Sequence, residues 1–327
     1  REPAHDGAAR ARAVELLALL GRGGWLDPIG TLDLRACCLI REALAYASPL
    51  ADAVFALQAL GTTPLLLAAG GGPDPAGRTA GAASGTAGHG AAADVARRTD
   101  AGAAPNDSAN AASLRDRWVP MALRGEAMAA FVMTEPDAGS DVAALSTAAR
   151  RDGDHYVLDG VKTFISNAGI ANFYTVFART GPGPGHRGIS CFVVPADTPG
   201  LRFLRPQVLS APHPLGEIVF ERCRVPAAWR LGTEGAGFKL GLATLDRLRP
   251  TVAAAACGMA ARALDEALAH ATTRHQFGQP LASFQLVQEK LARMATELAA
   301  ARLLIYRAAW EKDRGAERIT AEAAMAK

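Results

Sequence analysis

The sequence lacks the short motifs by which many metal and nucleotide sites are recognised. It has no CxxC pair, no HExxH segment, no phosphate-loop lysine motif and no GxSxG segment. Its five cysteines are odd in number and its seven histidines are scattered, which argues against a zinc site or a disulfide framework. We therefore expect buried, reduced thiols, no bound metal and a cytoplasmic protein.

The sequence also has little net charge and no long apolar run. Its 327 residues carry a formal net charge of +3, and the arginines are dispersed without interleaved aromatics, so we expect no nucleic-acid partner. Arg, Asp or Gly interrupts the apolar blocks every few residues, so we expect no membrane span, which needs about 20 apolar residues. The chain begins at Arg1 without a signal pattern, and we expect a trimmed N-terminus.

Three compositional regions predict the domain organisation. Residues 1–130 are Ala/Leu-rich with helical spacing, and they include a Gly/Ala-rich insertion at about 69–112. That insertion has too little apolar surface to offset its ordering entropy, so we expect it to be mobile, with a substrate lid as the alternative. Residues 131–235 contain short β-branched and aromatic segments, and Asp152-Gly153 between two of them predicts a hairpin. Residues 236–327 are helical again.

Two long helices are predicted in the last region. Apolar residues from Phe284 to Ala308 recur at steps of three and four, which makes one stripe suited to an antiparallel bundle. A preceding helix covers about 240–273, where Pro250 predicts either a kink or a helix start. The predicted fold class is α+β, with an N-terminal helical domain, a central antiparallel β domain and an incomplete C-terminal helical bundle.

A polar loop, MTEPDAGSD (133–141), lies where the first helical region passes into the β region. Gly139 has no Cβ and would let a flat ligand approach the backbone closely. Thr134 and Ser140 offer hydroxyls that can donate or accept hydrogen bonds. From the residues alone, a ligand-binding loop and a plain polar linker between domains are equal alternatives.

Several motifs in collinear order resemble the acyl-CoA dehydrogenase family. They are FVMTEPDAGSD, LDGVKTFISNAGIANFYTVFART, the run from GTEGAGFKLG to RHQFGQPLASFQ, and LARMATELAAARLLIYRAAWEKDRG, within a match over about residues 113–327. The resemblance implies FAD-dependent conversion of an acyl-CoA thioester to the trans-2-enoyl-CoA, with electrons passed to an electron-transfer flavoprotein. It also implies a homo-oligomer, expected to be a tetramer. A non-catalytic flavin- or acyl-CoA-binding protein and a flavin oxidase or monooxygenase on the same fold are the alternatives.

The resemblance further implies which residues bind cofactor and substrate. The MTEPDAGSD loop and the segment FIS, which stands where the family has WIT, would contact the flavin, while RHQFG would reach the FAD of a neighbouring subunit. For Arg274 the alternative is a helix C-terminal cation, and for LDRLR it is an intrahelical ion pair. The expected FAD contacts are Phe131, Val132, Met133, Thr134, Gly139, Ser140, Phe164, Ile165, Ser166, Arg274, Phe277, Phe284 and Gln285, and the expected substrate contacts are Ser140, Asp246 and Arg249.

The expected catalytic base is not in the sequence. Most family members carry a glutamate in a Tyr-Glu-Gly segment, which the resemblance places C-terminal to Lys327, and a minority carry it where this chain has Leu248. The resemblance makes Glu135 structural. Either the chain continues and supplies the base, or the protein is a truncated, inactive form. At 207–217 the chain also departs from the family's Gly-x-Arg-x-Ser/Thr loop, which puts contacts from that loop in doubt.

Overall fold

The computed structural model describes residues 5–70, 105–181, 185–211 and 213–327. Its N-terminal part is a layer of helices in which Asp33 and Ser48 cap two N-termini by accepting hydrogen bonds from backbone N–H groups. Helix α5 occupies the last part of the range predicted as a mobile insertion, and residues 71–104 of that range lie outside the described residues. The helices are α1 (Asp6–Arg22), α2 (Asp27–Gly30), α3 (Leu34–Ala47), α4 (Pro49–Ala68) and α5 (Pro105–Leu123).

Helix α4 is the core helix of this layer. By length and composition its 20 residues could cross a membrane, contrary to the expectation from the sequence, but 72% of its most apolar window is buried inside the protein. The fully buried amide of Gln58 donates to the carbonyls of Ala122 (2.9 Å) and Ala127 (2.7 Å) and accepts from the N–H of Ala129 (3.0 Å). Such hydrogen bonds tie α4 to the start of the β domain, as expected of a buried helix.

The β domain is one eight-stranded sheet in the order β6-β7-β3-β2-β4-β5-β8, with β1 paired to β4. Most pairs are antiparallel, but β1 and β2 each run parallel to β4, so the sheet is mixed rather than purely antiparallel. The predicted hairpin joins β2 to β3, and its turn residues are Gly153 and Asp154 rather than Asp152 and Gly153. The strands are β1 (Ala129–Val132), β2 (Ala148–Asp152), β3 (His155–Ser166), β4 (Phe173–Arg179), β5 (Ile189–Pro195), β6 (Leu201–Pro206), β7 (Leu215–Pro226) and β8 (Arg230–Leu231).

The C-terminal part consists of two long helices joined by a small hairpin. Pro250 is an interior residue of the first helix, which excludes the predicted helix start at that position. The elements are α6 (Gly237–Thr273), β9 (His275–Gln276), β10 (Gln279–Pro280), α7 (Gln285–Asp313) and α8 (Thr320–Ala326).

Helix α3 of the N-terminal part packs against both long C-terminal helices and completes a three-helix cluster. Leu34 and Cys38 of α3 share one buried cluster with Cys257 of α6 and with Leu298 and Ile305 of α7. The predicted apolar stripe of α7 is therefore buried over its C-terminal half only. Between Gln285 and Glu297 no side chain of α7 is fully buried.

Candidate functional site

The MTEPDAGSD loop leaves β1 and is held between β3 and the first turns of α6. The N–H of Thr163 in β3 donates to the carbonyl of Thr134 at 3.0 Å. On the other side Met133 packs so closely on Gly241 of α6 that a Cβ built on Gly241 would overlap the Met133 methyl group. The structure thus places the loop beside the strand that carries the FIS segment, while the predicted flavin contacts of both stay predictions.

Phe164 stands out of the sheet at a β-bulge. The register between β3 and β7 shifts between Lys162 and Ile165, and Phe164 lies in the left-handed region with φ 53°. Its N–H donates to the side-chain oxygen of Gln207 at 2.7 Å, and its side chain is 58% exposed. A non-glycine residue in this conformation is strained, and strain of this kind concentrates at functional sites. An exposed aromatic ring at such a point suits stacking on a flat ligand.

Three hydroxyls of the same loop and strand are free to bind a ligand. The side chains of Thr134, Ser140 and Ser166 are partly or fully exposed, and they make no hydrogen bond within the part of the chain that the structure describes. Gly139 is exposed as well, and a Cβ built there would meet no described atom within 4 Å. An open backbone, free hydroxyls and an exposed ring fit a planar heterocycle with hydrogen-bonding edges, such as the flavin expected from the resemblance.

Other expected contacts are restricted by their burial. The side chains of Val132, Met133 and Ile165 lie in the hydrophobic core, with exposed fractions of 0%, 4% and 2%. Because these fractions are for whole residues, Val132 presents no surface to a cofactor in this arrangement, and Met133 and Ile165 present almost none. Phe131 is partly buried, and its ring centroid lies 4.9 Å from that of Phe177.

Glu135 is committed to a buried ion pair with Lys162. Its Oε1 lies 2.9 Å from Lys162 Nζ, and its carboxylate also accepts from the N–H and hydroxyl of Ser146 and from the N–H of Thr147. Burial alone would raise the pKa of Glu135, but the charge and hydrogen bonds around it outweigh burial and lower the pKa to about 2. Burial lowers the pKa of Lys162 to about 8, although the negative charge of Glu135 acts to raise it. A carboxylate so saturated with donors fits the structural role predicted for it.

Arg274 and its neighbours lie at the opposite end of α6. The hairpin β9–β10 turns at Phe277 and Gly278, both with positive φ, and the Phe277 side chain is 93% exposed beside Phe284, with ring centroids 6.1 Å apart. From Gly241 to Arg274 the chain runs along α6 for 33 residues, about 50 Å at roughly 1.5 Å per residue. Within one chain, the structure does not bring this group to the MTEPDAGSD loop.

Asp246 and Arg249 of α6, which were predicted to contact substrate, form the intrahelical ion pair that was the alternative to that role. Arg249 Nη1 lies 3.4 Å from Asp246 Oδ1, and the hydroxyl of Thr320 in α8 donates to Asp246 Oδ2 at 3.0 Å. Arg274 is the C-cap residue of α6, which agrees with its alternative role as a cation at the C-terminus of a helix. Neither finding prevents a ligand contact, and both roles stay predictions.

Two residues of this region were missed by the sequence analysis. Gln207 lies in the segment that departs from the family loop, and besides holding Phe164 it donates to the hydroxyl of Thr163 at 2.8 Å. Lys162 is fully buried in β3. For Lys162 the available signal was a lysine within an otherwise apolar strand face. No pattern in the sequence indicated the role of Gln207.

Comparison with known proteins identifies the family. Residues 130–223 match the acyl-CoA dehydrogenase middle domain, and residues 235–327 match the acyl-CoA dehydrogenase C-terminal domain. The chain is 43% identical over 204 residues to probable acyl-CoA dehydrogenase FadE25 of Mycobacterium tuberculosis, in a match that covers 62% of this chain and 52% of FadE25. The chain thus spans about half the length of this relative.

Solved structures match nearly the whole chain. The glutaryl-coenzyme A dehydrogenase glutaryl-CoA complex has a TM-score of 0.75 and 30% identity, covering 94% of this chain and 71% of that chain. PigA with FAD and proline has a TM-score of 0.77 and 27% identity, covering 99% of this chain and 78% of that chain. The chain belongs to the acyl-CoA dehydrogenase family, and the α+β fold class is confirmed.

Proposed function

We propose that the whole protein binds FAD and dehydrogenates an acyl-CoA thioester to the trans-2-enoyl-CoA. The observation that carries the proposal is the exposed ring of Phe164, held at a strained bulge near the free hydroxyls of Thr134 and Ser166. When bound, FAD supplies the acceptor for the hydride that leaves the substrate. The family of the chain and the FAD-containing structure of PigA support the cofactor assignment.

The residues of this chain would bind and orient the reactants. The Phe164 ring and the open backbone at Gly139 provide a flat surface, and the hydroxyls of Thr134, Ser140 and Ser166 provide directional hydrogen bonds. The carboxylate of Glu135 is held by Lys162, and Leu248 cannot accept a proton. Neither position therefore supplies the proton acceptor of the proposed reaction.

The separation of the two cofactor-binding groups supports a shared site. If Thr134 and Arg274 both contact FAD, the contacts come from two chains, because about 50 Å of α6 separates them within one chain. We propose a homo-oligomer, with a tetramer as the family's expected form, and an electron-transfer flavoprotein as the electron acceptor. The five cysteines are all free thiols, which supports a cytoplasmic location.

The test is to purify the full-length protein and record its visible spectrum before and after anaerobic addition of acyl-CoA thioesters. We expect bound FAD and loss of the flavin band at about 450 nm with at least one thioester. A colourless protein would refute the proposal. Bound FAD that no acyl-CoA reduces would indicate a binding protein, and oxygen consumption without a flavoprotein acceptor would indicate an oxidase or monooxygenase.

A further inference from the structure

Lys162 joins three separate groups beneath the cofactor-binding loop. Its side chain is fully buried, and its Nζ donates to the carbonyls of Met133 (3.0 Å) and Phe177 (2.7 Å) and to Glu135 Oε1 (2.9 Å). An ammonium group has three protons, so these bonds use its full donor capacity. The lysine therefore connects the loop after β1 to strand β4 as well as to β3.

The contacts of Lys162 continue directly into the site. Lys162 holds Met133 and Glu135, while the next residue, Thr163, donates its N–H to the carbonyl of Thr134 at 3.0 Å. In a regular strand, residues 162 and 164 would face the same way. The bulge turns Phe164 outward while Lys162 stays buried, so the lysine anchors the loop from inside while the ring faces solvent.

We propose that Lys162 is a positioning residue of the cofactor site, fixing the Thr134 hydroxyl relative to the Phe164 ring. The inference rests on the proposed function of that site. A buried ion pair can often be replaced by apolar residues without loss of stability, so stability alone does not require a lysine here. Two main-chain carbonyls on different elements do require a donor, since a carbonyl buried without a partner is costly.

The test compares variants of the full-length protein. Lys162→Met should raise the hydrogen-exchange rate of the loop amides at 133–141 in flavin-free protein by about tenfold or more, because the loop loses a charged hydrogen-bond donor. It should raise the Kd for FAD and change the reduction potential or visible spectrum of the bound flavin. Arg41→Met is the matched control, since it removes another buried ion pair, with Asp52, and the side-chain hydrogen bonds of Arg41 go to Asp52 and Thr251 rather than to the loop. We expect it to lower stability but to leave loop exchange and FAD affinity unchanged.

A double variant separates positioning from charge compensation. Lys162→Met with Glu135→Gln leaves no buried unpaired charge and keeps a side-chain oxygen that can accept from Ser146 and Thr147, so thermal stability should recover relative to the single variant. FAD affinity should stay low, because the carbonyls of Met133 and Phe177 remain unbridged. This variant also carries the test if Lys162→Met does not fold.

Several outcomes would overturn the proposal. One is a double variant that recovers FAD affinity together with stability. Another is a Lys162→Met variant whose loop amides exchange hydrogen at an unchanged rate. A third is failure of both variants to fold, which would assign Lys162 to stability alone. If the unmutated protein bound no FAD, the proposed function would fail, and the exchange measurement alone would decide whether Lys162 holds the loop.

Discussion

Replacing Phe164 with glycine should lower the free energy of unfolding by no more than about 2 kcal/mol. Phe164 has φ 53°, a left-handed conformation that costs a non-glycine residue roughly 1–2 kcal/mol. Glycine relieves that strain but loses roughly 0.5–1 kcal/mol through the entropy of the unfolded chain. Phe164 is 58% exposed, so about 80 Å² of a side chain of about 200 Å² is covered and contributes about 2 kcal/mol at about 25 cal/mol per Å². We therefore expect the free energy of unfolding of the flavin-free protein to fall by about 0.5–2 kcal/mol.

The same substitution should weaken FAD binding by about two orders of magnitude. A phenylalanine side chain presents about 200 Å², so the 58% that is exposed amounts to about 120 Å². Covering that area with a flavin at about 25 cal/mol per Å² would contribute about 3 kcal/mol, or about a hundredfold in Kd. Phe164→Ala should lose the same contact while it keeps most of the backbone strain.

The assay is titration of flavin-free protein with FAD, followed by flavin fluorescence, alongside urea unfolding of each variant. Leu204→Ala is the matched control, because Leu204 is 48% exposed on β6 and lies outside the predicted cofactor contacts. FAD affinity within about twofold of the unmutated protein would refute the assigned role of the ring. A large loss of stability with unchanged affinity would instead make Phe164 a packing residue.

The remaining predictions concern helix packing, acid and the second subunit. A Cβ built on Gly258 would overlap the Glu42 carbonyl oxygen. Gly258→Ala should therefore push α3 away from α6 and lower the free energy of unfolding by about 1–3 kcal/mol, which thermal melting can measure. An unchanged melting temperature would contradict this close packing. The pKa of Glu135 is about 2, below its ordinary 4.5, so its stabilisation is present above pH 4.5 and lost toward pH 2. The urea-unfolding difference between unmutated protein and Glu135→Gln should shrink over that window, and a constant difference would contradict the pKa. If FAD contacts two chains, Arg274→Gln and Phe164→Gly should each weaken FAD binding. Oligomers assembled from a mixture of the two variants should regain intact sites, up to about a quarter of all sites, as measured by FAD stoichiometry. No recovery of FAD binding in the mixture would argue against a cofactor site shared between subunits.

Local patterns predicted the elements well because they depend on neighbouring residues. Gly153 adopts a positive φ that a tight hairpin requires, and the turn chemistry of Asp-Gly was sufficient to place it to within one residue. Pro250 shows the limit of such rules. It forfeits one helical hydrogen bond, but Ala253, Ala254 and Cys257 on the next turns pack into the cluster with α3, and this burial keeps the helix continuous.

The site was predictable in composition but not in geometry. The loop with Thr134 and Ser140 was found because hydroxyls and glycine follow an apolar strand. The bulge at Phe164 depends on the register between β3 and β7 and on Gln207, which lies 43 positions away along the chain. The pairing of Lys162 with Glu135 depends in the same way on how β1 and β3 are placed in the sheet. Contacts of this kind require the tertiary arrangement, which periodicity does not specify.

The exposed apolar side chains beside Arg274 connect cofactor binding to assembly. Phe277 is 93% exposed, Leu286 78% and Leu268 48%, and all three lie at the end of α6, at the hairpin or at the start of α7. Large apolar groups gathered at one place favour burial against another protein surface. If that surface is the part of a second copy that carries its MTEPDAGSD loop, the contact that buries them would also bring Arg274 to the cofactor of that copy. Linkage then requires that FAD strengthen subunit association by the same free energy by which association strengthens FAD binding.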